Sequence, residues 1–235
     1  MDPNLAEAHA YLGAVKLWYD WDWPGAEREI RRALELNANS SNAHDAFGDY
    51  LETLGRMQEG MIEHQRAQEL DPAGDSLSNS FVLNRQYDQA IEFLKKQVEI
   101  EPNNGGNHFR LSEAYGLQGR YEESIRELQQ AGLLYGYKEA AEGLGRAYAK
   151  AGYKGAIRYY LTAMEEAYAQ GQHRADRIAV YYMRLGDKDE AFKWLQKSYD
   201  SHEADMTTLK ADHDWDPLRS DPRFKELIRR VGIPD

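Results

Sequence analysis

His202, Asp205, His213, Asp214 and Asp216 come nearest in this sequence to a metal-binding constellation, because imidazole and carboxylate groups are the usual protein ligands of divalent cations. Their spacing is irregular and no His-Glu-x-x-His pair exists, so caps and turn-forming aspartates around Trp215 account for them better. A hydrolase would need a metal held by His202 and His213. Asp20-Trp21-Asp22-Trp23 resembles a stacking box for a flat ligand, but Pro24 follows it as at a helix start. Its indoles are therefore expected to pack between helical units. Gly143-Leu144-Gly145 sits inside a helical period with no strand before it, which is not the setting of a phosphate loop. Serine, histidine and acid occur in no order that pairs a nucleophile with its base. The chain reads as non-enzymatic, without metal or cofactor.

Charge narrows the partners. Forty acidic residues against 29 basic ones give a net charge of −11, which repels phosphate backbones and anionic lipid. Neither nucleic acid nor a membrane surface is an expected partner. No apolar run approaches the eighteen residues of a membrane span, and the first thirty residues lack the pattern of a cleaved leader. There are no cysteines, which is compatible with a reducing compartment. Cytoplasm is the expected location.

The elements that carry these residues are helices arranged in repeats. A turn residue recurs at Asp20, Gly55, Arg85, Gly119, Gly152 and Gly186, a period of about 34 residues. Small residues follow at helical spacing, as in Ala26 with Ala33, Gly60 with Ala67 and Ser124 with Ala131, and let paired helices approach closely. Second helices close on a breaker, as in Leu70-Asp71-Pro72 and Ile100-Glu101-Pro102. The pattern predicts helices over 4–18, 24–36, 41–54, 57–70, 76–84, 87–100, 105–118, 121–134, 138–151, 154–169, 173–185 and 188–201. The third hairpin is short and has Ser76, Ser78, Asn79 and Ser80 where an apolar face belongs, so its first helix is expected to be stunted and the stacking around it irregular. The Tyr-rich second helix of the fifth, with Tyr159, Tyr160 and Tyr168, is expected to protrude or pack on the tail.

In these positions the chain resembles the tetratricopeptide repeat family. Leu12-Gly13, Phe47-Gly48, Leu111-Ser112 with Tyr115, Leu144-Gly145 with Tyr148, and Ile178-Ala179 with Tyr182 match the first-helix pattern of its unit. The resemblance implies an all-α fold, tandem helical hairpins stacked as a right-handed superhelical solenoid. About six units would fill residues 1–202, and residues 203–235 would form a C-terminal capping segment. In that segment Asp221 caps a last helix with Pro222 at its first position. Phe224, Leu227, Ile228 and Val231 make its apolar face, Gly232 ends it, and Leu209, Trp215 and Leu218 fill the space beneath.

The closing string LKADHDWDPLRSDPRFKELIRRVGIP and the early YDWDWPGAEREIRRALELN are similar to segments of repeat arrays in multidomain bacterial regulators carrying winged-helix, cyclase or Ser/Thr kinase domains. Met1-Asp2-Pro3 looks like the Asp-Pro that closes a preceding repeat, which implies an excised C-terminal piece.

In this family the first helices line a concave face that binds peptides or proteins. Carried over, the face comprises Asn42, Asp45, Asp49 and Glu52, then Phe109 and Glu113, then Glu142 and Arg146. Members that hold C-terminal carboxylates use Lys, Arg and Asn here, and this chain departs from them. The expected partner is a protein or peptide of basic or mixed charge. The alternative is a sensor that binds a small molecule between repeats, near the irregular third one, and signals to an upstream domain.

Overall fold

The computed structural model describes residues 3–72, 74–172 and 174–234, so Met1 and Asp2 of the proposed Asp-Pro junction lie outside the described residues. Every regular element among them is helical: α1 (Pro3–Val15), α2 (Trp23–Leu36), α3 (Ser41–Thr53), α4 (Met57–Leu70), α5 (Ser76–Leu83), α6 (Tyr87–Ile100), α7 (Gly105–Leu117), α8 (Tyr121–Leu134), α9 (Lys138–Ala169), α10 (Ala175–Leu185), α11 (Lys188–Asp200) and α12 (Pro222–Val231). None is long and apolar enough to cross a membrane.

Antiparallel helices joined by so few residues need a sharp reversal, and a left-handed residue supplies it. Gly55, Arg85, Gly119, Gly152 and Gly186 all have φ between 59° and 87°. The first hairpin differs, since α1 runs on through a π-helical turn at Lys16–Asp20 and the left-handed residue is Trp21 rather than Asp20. The Asp22 carboxylate then caps α2 by accepting from the Gly25 amide at 3.0 Å and pairs with Lys16 at 2.9 Å. α9 is itself a hairpin. Its backbone breaks at Ala151 and Gly152, and a Cβ on Gly143 would run into the Tyr159 ring. A straight helix would hold those two residues about 24 Å apart.

The chain forms two compact units, Met1–Asn84 with Leu195–Asp235, and Arg85–Trp194. One boundary falls at the turn of the short third hairpin, whose first helix α5 has eight residues. The serines of that helix are not a missing packing face. Ser78 and Ser80 are buried, and the Ser80 hydroxyl donates to the Glu52 carboxylate. In the same unit the tail folds as two 3₁₀ turns, Ala204–Thr208 and His213–Leu218, followed by α12. The Asp221 side chain caps α12 through the Arg223 amide, and Gly232 ends it at φ 76°. Leu209, Trp215, Leu218, Phe224, Leu227 and Val231 are buried. Trp21 stacks on His202 with ring centroids 3.6 Å apart, while Arg230 lies 4.0 Å over Tyr199 and bonds Gln196. The tail thus contacts the end of α11, and its first 3₁₀ turn lies against Lys16–Asp20.

Candidate functional site

α3 and α4 pack through small residues. A Cβ on Gly48 would come within 2.7 Å of the His64 ring, and one on Gly60 would collide with the Glu52 side chain. Those two glycines leave room for a polar cluster inside the hairpin. His64 and Glu52 are each only 2% exposed. The imidazole donates from Nδ1 to Asp45 Oδ1 at 3.1 Å, and its Nε2 stands 3.5 Å from Glu52 Oε2 and 3.8 Å from Asp49 Oδ1. Neither His64 Nε2 nor Glu52 Oε2 makes a hydrogen bond. Asp45 and Asp49 form the mouth, with 43% and 28% of their side chains exposed.

Three carboxylates therefore share one imidazole. Burial opposes charge on His64, but the bond to Asp45 and the nearby acids outweigh it and raise its pKa to about 10. Burial also opposes ionisation of Asp45, yet the bond to His64 holds its pKa low. Asp49 is left over: burial and the negative charge of Asp45 push its pKa up to about 7 against the weaker pull of His64. Asn42, one turn before Asp45, reaches the Tyr11 hydroxyl at 3.4 Å.

The unit Arg85–Trp194 treats its predicted face differently. Glu113 is held by the Arg184 fork at 2.8 and 3.0 Å and accepts from the Tyr181 hydroxyl at 2.8 Å, with Arg177 at 3.9 Å. Burial would raise its pKa, but Arg184, then Arg177 and Tyr181, hold it below the usual carboxylate value. Phe109 has the Arg177 guanidinium 6.0 Å from its ring centre. Glu142 is exposed and flanked by Arg146 at 3.7 Å and Lys138 at 3.9 Å. Asp45, Asp49 and Glu52 are thus brought together, whereas Glu113 and Glu142 each stand beside their own cations.

His64, the role of Ser80 and a cavity of about 530 Å³ bounded by α7, α8 and the two arms of α9 were not singled out in the sequence. Tyr159 and Tyr160 line this cavity, Tyr159 at its exposed rim, and Tyr168 lies edge-on to Trp194. The signal for His64 was available: a histidine where the second helix should be apolar, opposite two glycines. Elsewhere, the tail histidine His202 is engaged with Trp21. No group of three or more His, Asp or Glu among the described residues is arranged to hold a metal ion.

Family models of the tetratricopeptide repeat match residues 81–135 and 176–202. Hsp70-Hsp90 organizing protein 2 of Arabidopsis thaliana is 28% identical over 107 residues, 44% of this chain and 19% of that protein. The TPR repeat-containing protein YpiA of Bacillus subtilis (strain 168) is 22% identical over 192 residues, 80% of this chain and 38% of that protein. The chain therefore spans well under half the length of these curated relatives. Among solved structures, Pseudomonas aeruginosa PilF superposes with a TM-score of 0.58 at 16% identity, covering 95% of this chain and 96% of that one. The chain carries tetratricopeptide repeats, with the all-helical fold of tetratricopeptide solenoids. Such repeats generally mediate protein–protein interactions.

Proposed function

We propose that this chain is a non-enzymatic protein-interaction module, the C-terminal array of a larger bacterial signalling or transcription-regulatory protein in the cytoplasm. It receives a basic or mixed-charge segment of another protein on its first-helix face. The observation that carries this reading is the surplus acid at Asp45 and Asp49, whose half-exposed carboxylates stand over a single buried imidazole. A lysine or arginine side chain placed there would supply Asp49 with the counter-charge that Arg184 supplies to Glu113. Asn42, Phe109, Glu142 and Arg146 supply polar, apolar and mixed-charge contacts along the same kind of face. Glu52 and Glu113 act beneath it, because Glu52 is buried and bonded by Ser80 and Glu113 is held by Arg184. The likeness of the tail to closing segments of regulator arrays supports a place in a longer protein.

The test is a titration of the chain with a labelled peptide of alternating Lys, Arg and Ala, followed by fluorescence anisotropy. Binding should saturate and weaken at least about tenfold between roughly 50 and 500 mM salt, since screening acts strongly on exposed charge pairs. Asp45→Lys with Asp49→Lys should abolish it. Tighter binding of a Glu-rich peptide, or affinity indifferent to salt and to both substitutions, would overturn the assignment. A second reading, a module that senses a small molecule, is favoured by one observation, the tyrosine-lined cavity between α8 and α9.

A further inference from the structure

That cavity lies wholly within the unit Arg85–Trp194 and is built rather than left over. Leu128, Leu144 and Met164 form its buried apolar side, and the exposed residues Tyr135, Tyr137 and Tyr159 form its rim. Glycines admit two of these rings. A Cβ on Gly105 would lie 2.9 Å from Tyr135 Cζ, and one on Gly143 would overlap the Tyr159 hydroxyl. Behind them Tyr160 is fixed edge-on against Tyr181, with centroids 5.2 Å apart. Among the described residues, no Asp, Glu, Lys, Arg or His lines the space. A charged ligand entering it would give up part of its hydration with no charged side chain among the described lining residues to replace it. An uncharged ring loses little and gains offset or edge contacts with tyrosines, whose hydroxyls answer polar groups on its rim. The volume, about 530 Å³, falls in the range of small-molecule sites, about 300–1,000 Å³.

We propose that this cavity binds an uncharged aromatic small molecule, a planar fused or substituted ring carrying hydroxyl or carbonyl groups. The proposal rests on the sensor reading and is independent of whether Asp45 and Asp49 receive a cation. Both arms of α9 and the end of α8 line the site, so an occupant ties the fourth and fifth hairpins together.

The experiment uses the whole chain with two probes of nearly the same shape, 2-naphthol and 2-naphthoate, at neutral pH. Binding is followed by tyrosine fluorescence quenching and by thermal shift. The expected result is saturable, one-to-one binding of 2-naphthol and at least tenfold weaker binding of the anion. Ala163→Phe, which fills the space from one wall, should abolish 2-naphthol binding while leaving helical content and melting temperature close to those of the parent. Should that variant fail to fold, Tyr159→Ala replaces it, with an expected loss of at least fivefold in affinity. Equal affinity for both probes would overturn the proposal. So would absence of saturation by 2-naphthol up to its solubility, or binding untouched by the substitutions. Unchanged basic-peptide binding in the same variants would separate this site from that of Asp45 and Asp49.

Discussion

The second and fourth hairpins show how one backbone plan can carry opposite interiors. Residues 64 positions apart correspond: His44 bonds Glu63 at 2.6 Å and the Ala38 carbonyl, and His108 bonds Glu127 at 2.6 Å and the Pro102 carbonyl. Arg56 pairs with Glu59 as Arg120 pairs with Glu123, and Gly55 and Gly119 turn the chain at φ 79° and 78°. Between those clamps the two diverge. Gly48, Gly60 and His64 of the second hairpin stand where the fourth has Ser112, Ser124 and Leu128. The serine hydroxyls touch each other at 3.4 Å, and Leu128 belongs to an apolar cluster. Asp49 and Glu113 also correspond, yet Asp49 has a shared imidazole while Glu113 has two guanidiniums and a phenol. An acid at a given helix position therefore becomes a surface group seeking a cation or an internal clamp, according to what the other helices bring to it.

The largest expected effect tests that contrast directly. Glu113→Ala removes the carboxylate that the Arg184 fork holds inside the fold, and removing one member of such a buried pair costs about 3–5 kcal/mol. Asp49→Asn removes a carboxylate that is short of counter-charge and should raise stability at pH 8 by about 1–2 kcal/mol. Their responses to acid should also have opposite signs. Because the folded pKa of Asp49 is raised from its ordinary 3.8 to about 7, its contribution is present below about pH 4 and fades as pH rises to 7. The raised pKa of His64, about 10, likewise gives stability that is full below about pH 6.5 and lost as pH climbs through 10. Glu113 has a depressed pKa, so its contribution is present above about pH 4.5 and lost as pH falls. Urea midpoints measured from pH 3 to 10 would show the Asn variant flatter between pH 4 and 7 and the Ala variant flatter on the acid side. Equal costs for the two substitutions would mean that their surroundings do not differ as described.

A smaller effect should follow from the interiors. Gly48→Ala places a methyl 2.7 Å from the His64 ring, an overpacking that costs about 1–3 kcal/mol. It should also weaken binding of a basic peptide, because His64 orients Asp45. At the corresponding position Ser112→Ala removes only a long hydroxyl contact, 3.4 Å, and should change stability by under about 1 kcal/mol. Denaturant midpoints for the pair, with peptide titration of the first, check both statements.

Most of the helix plan was legible because its determinants are local. A left-handed turn favours glycine, small residues mark close helix contacts, and Asp221-Pro222 with Gly232 delimits α12 without reference to anything distant. The first hairpin departed by one residue because the π-helical turn carries α1 past the expected end. The helix positions of the candidate residues were legible, but what would surround each of them was not. Glu113 meets Arg184 from 71 residues further along, a pairing that no local pattern encodes. Glu52 reads as a surface acid in α3 until α5 brings Ser80 to it and α4 brings His64. The cavity arises from the turn at Gly152, which folds Tyr159 back across Gly143, and the tyrosines that line it were visible only as a composition.

The smallest effect should be the same in both hairpins, and so measures how far the shared plan extends. Gly55 and Gly119 have almost identical positive φ, and a Cβ built on either meets no atom within 4 Å. Steric crowding from neighbours is therefore absent, and Gly→Ala at either turn is left with two backbone terms. The left-handed conformation costs a non-glycine residue roughly 1–2 kcal/mol. Against that, alanine restricts the unfolded chain and returns about 0.4–1 kcal/mol. The net expectation is a loss of about 1 kcal/mol for Gly55→Ala and the same for Gly119→Ala, read as equal shifts of the urea midpoint at unchanged slope. Costs differing by more than about 0.5 kcal/mol would place part of the divergence between the two hairpins in their turns, and not only in the side chains packed between their helices.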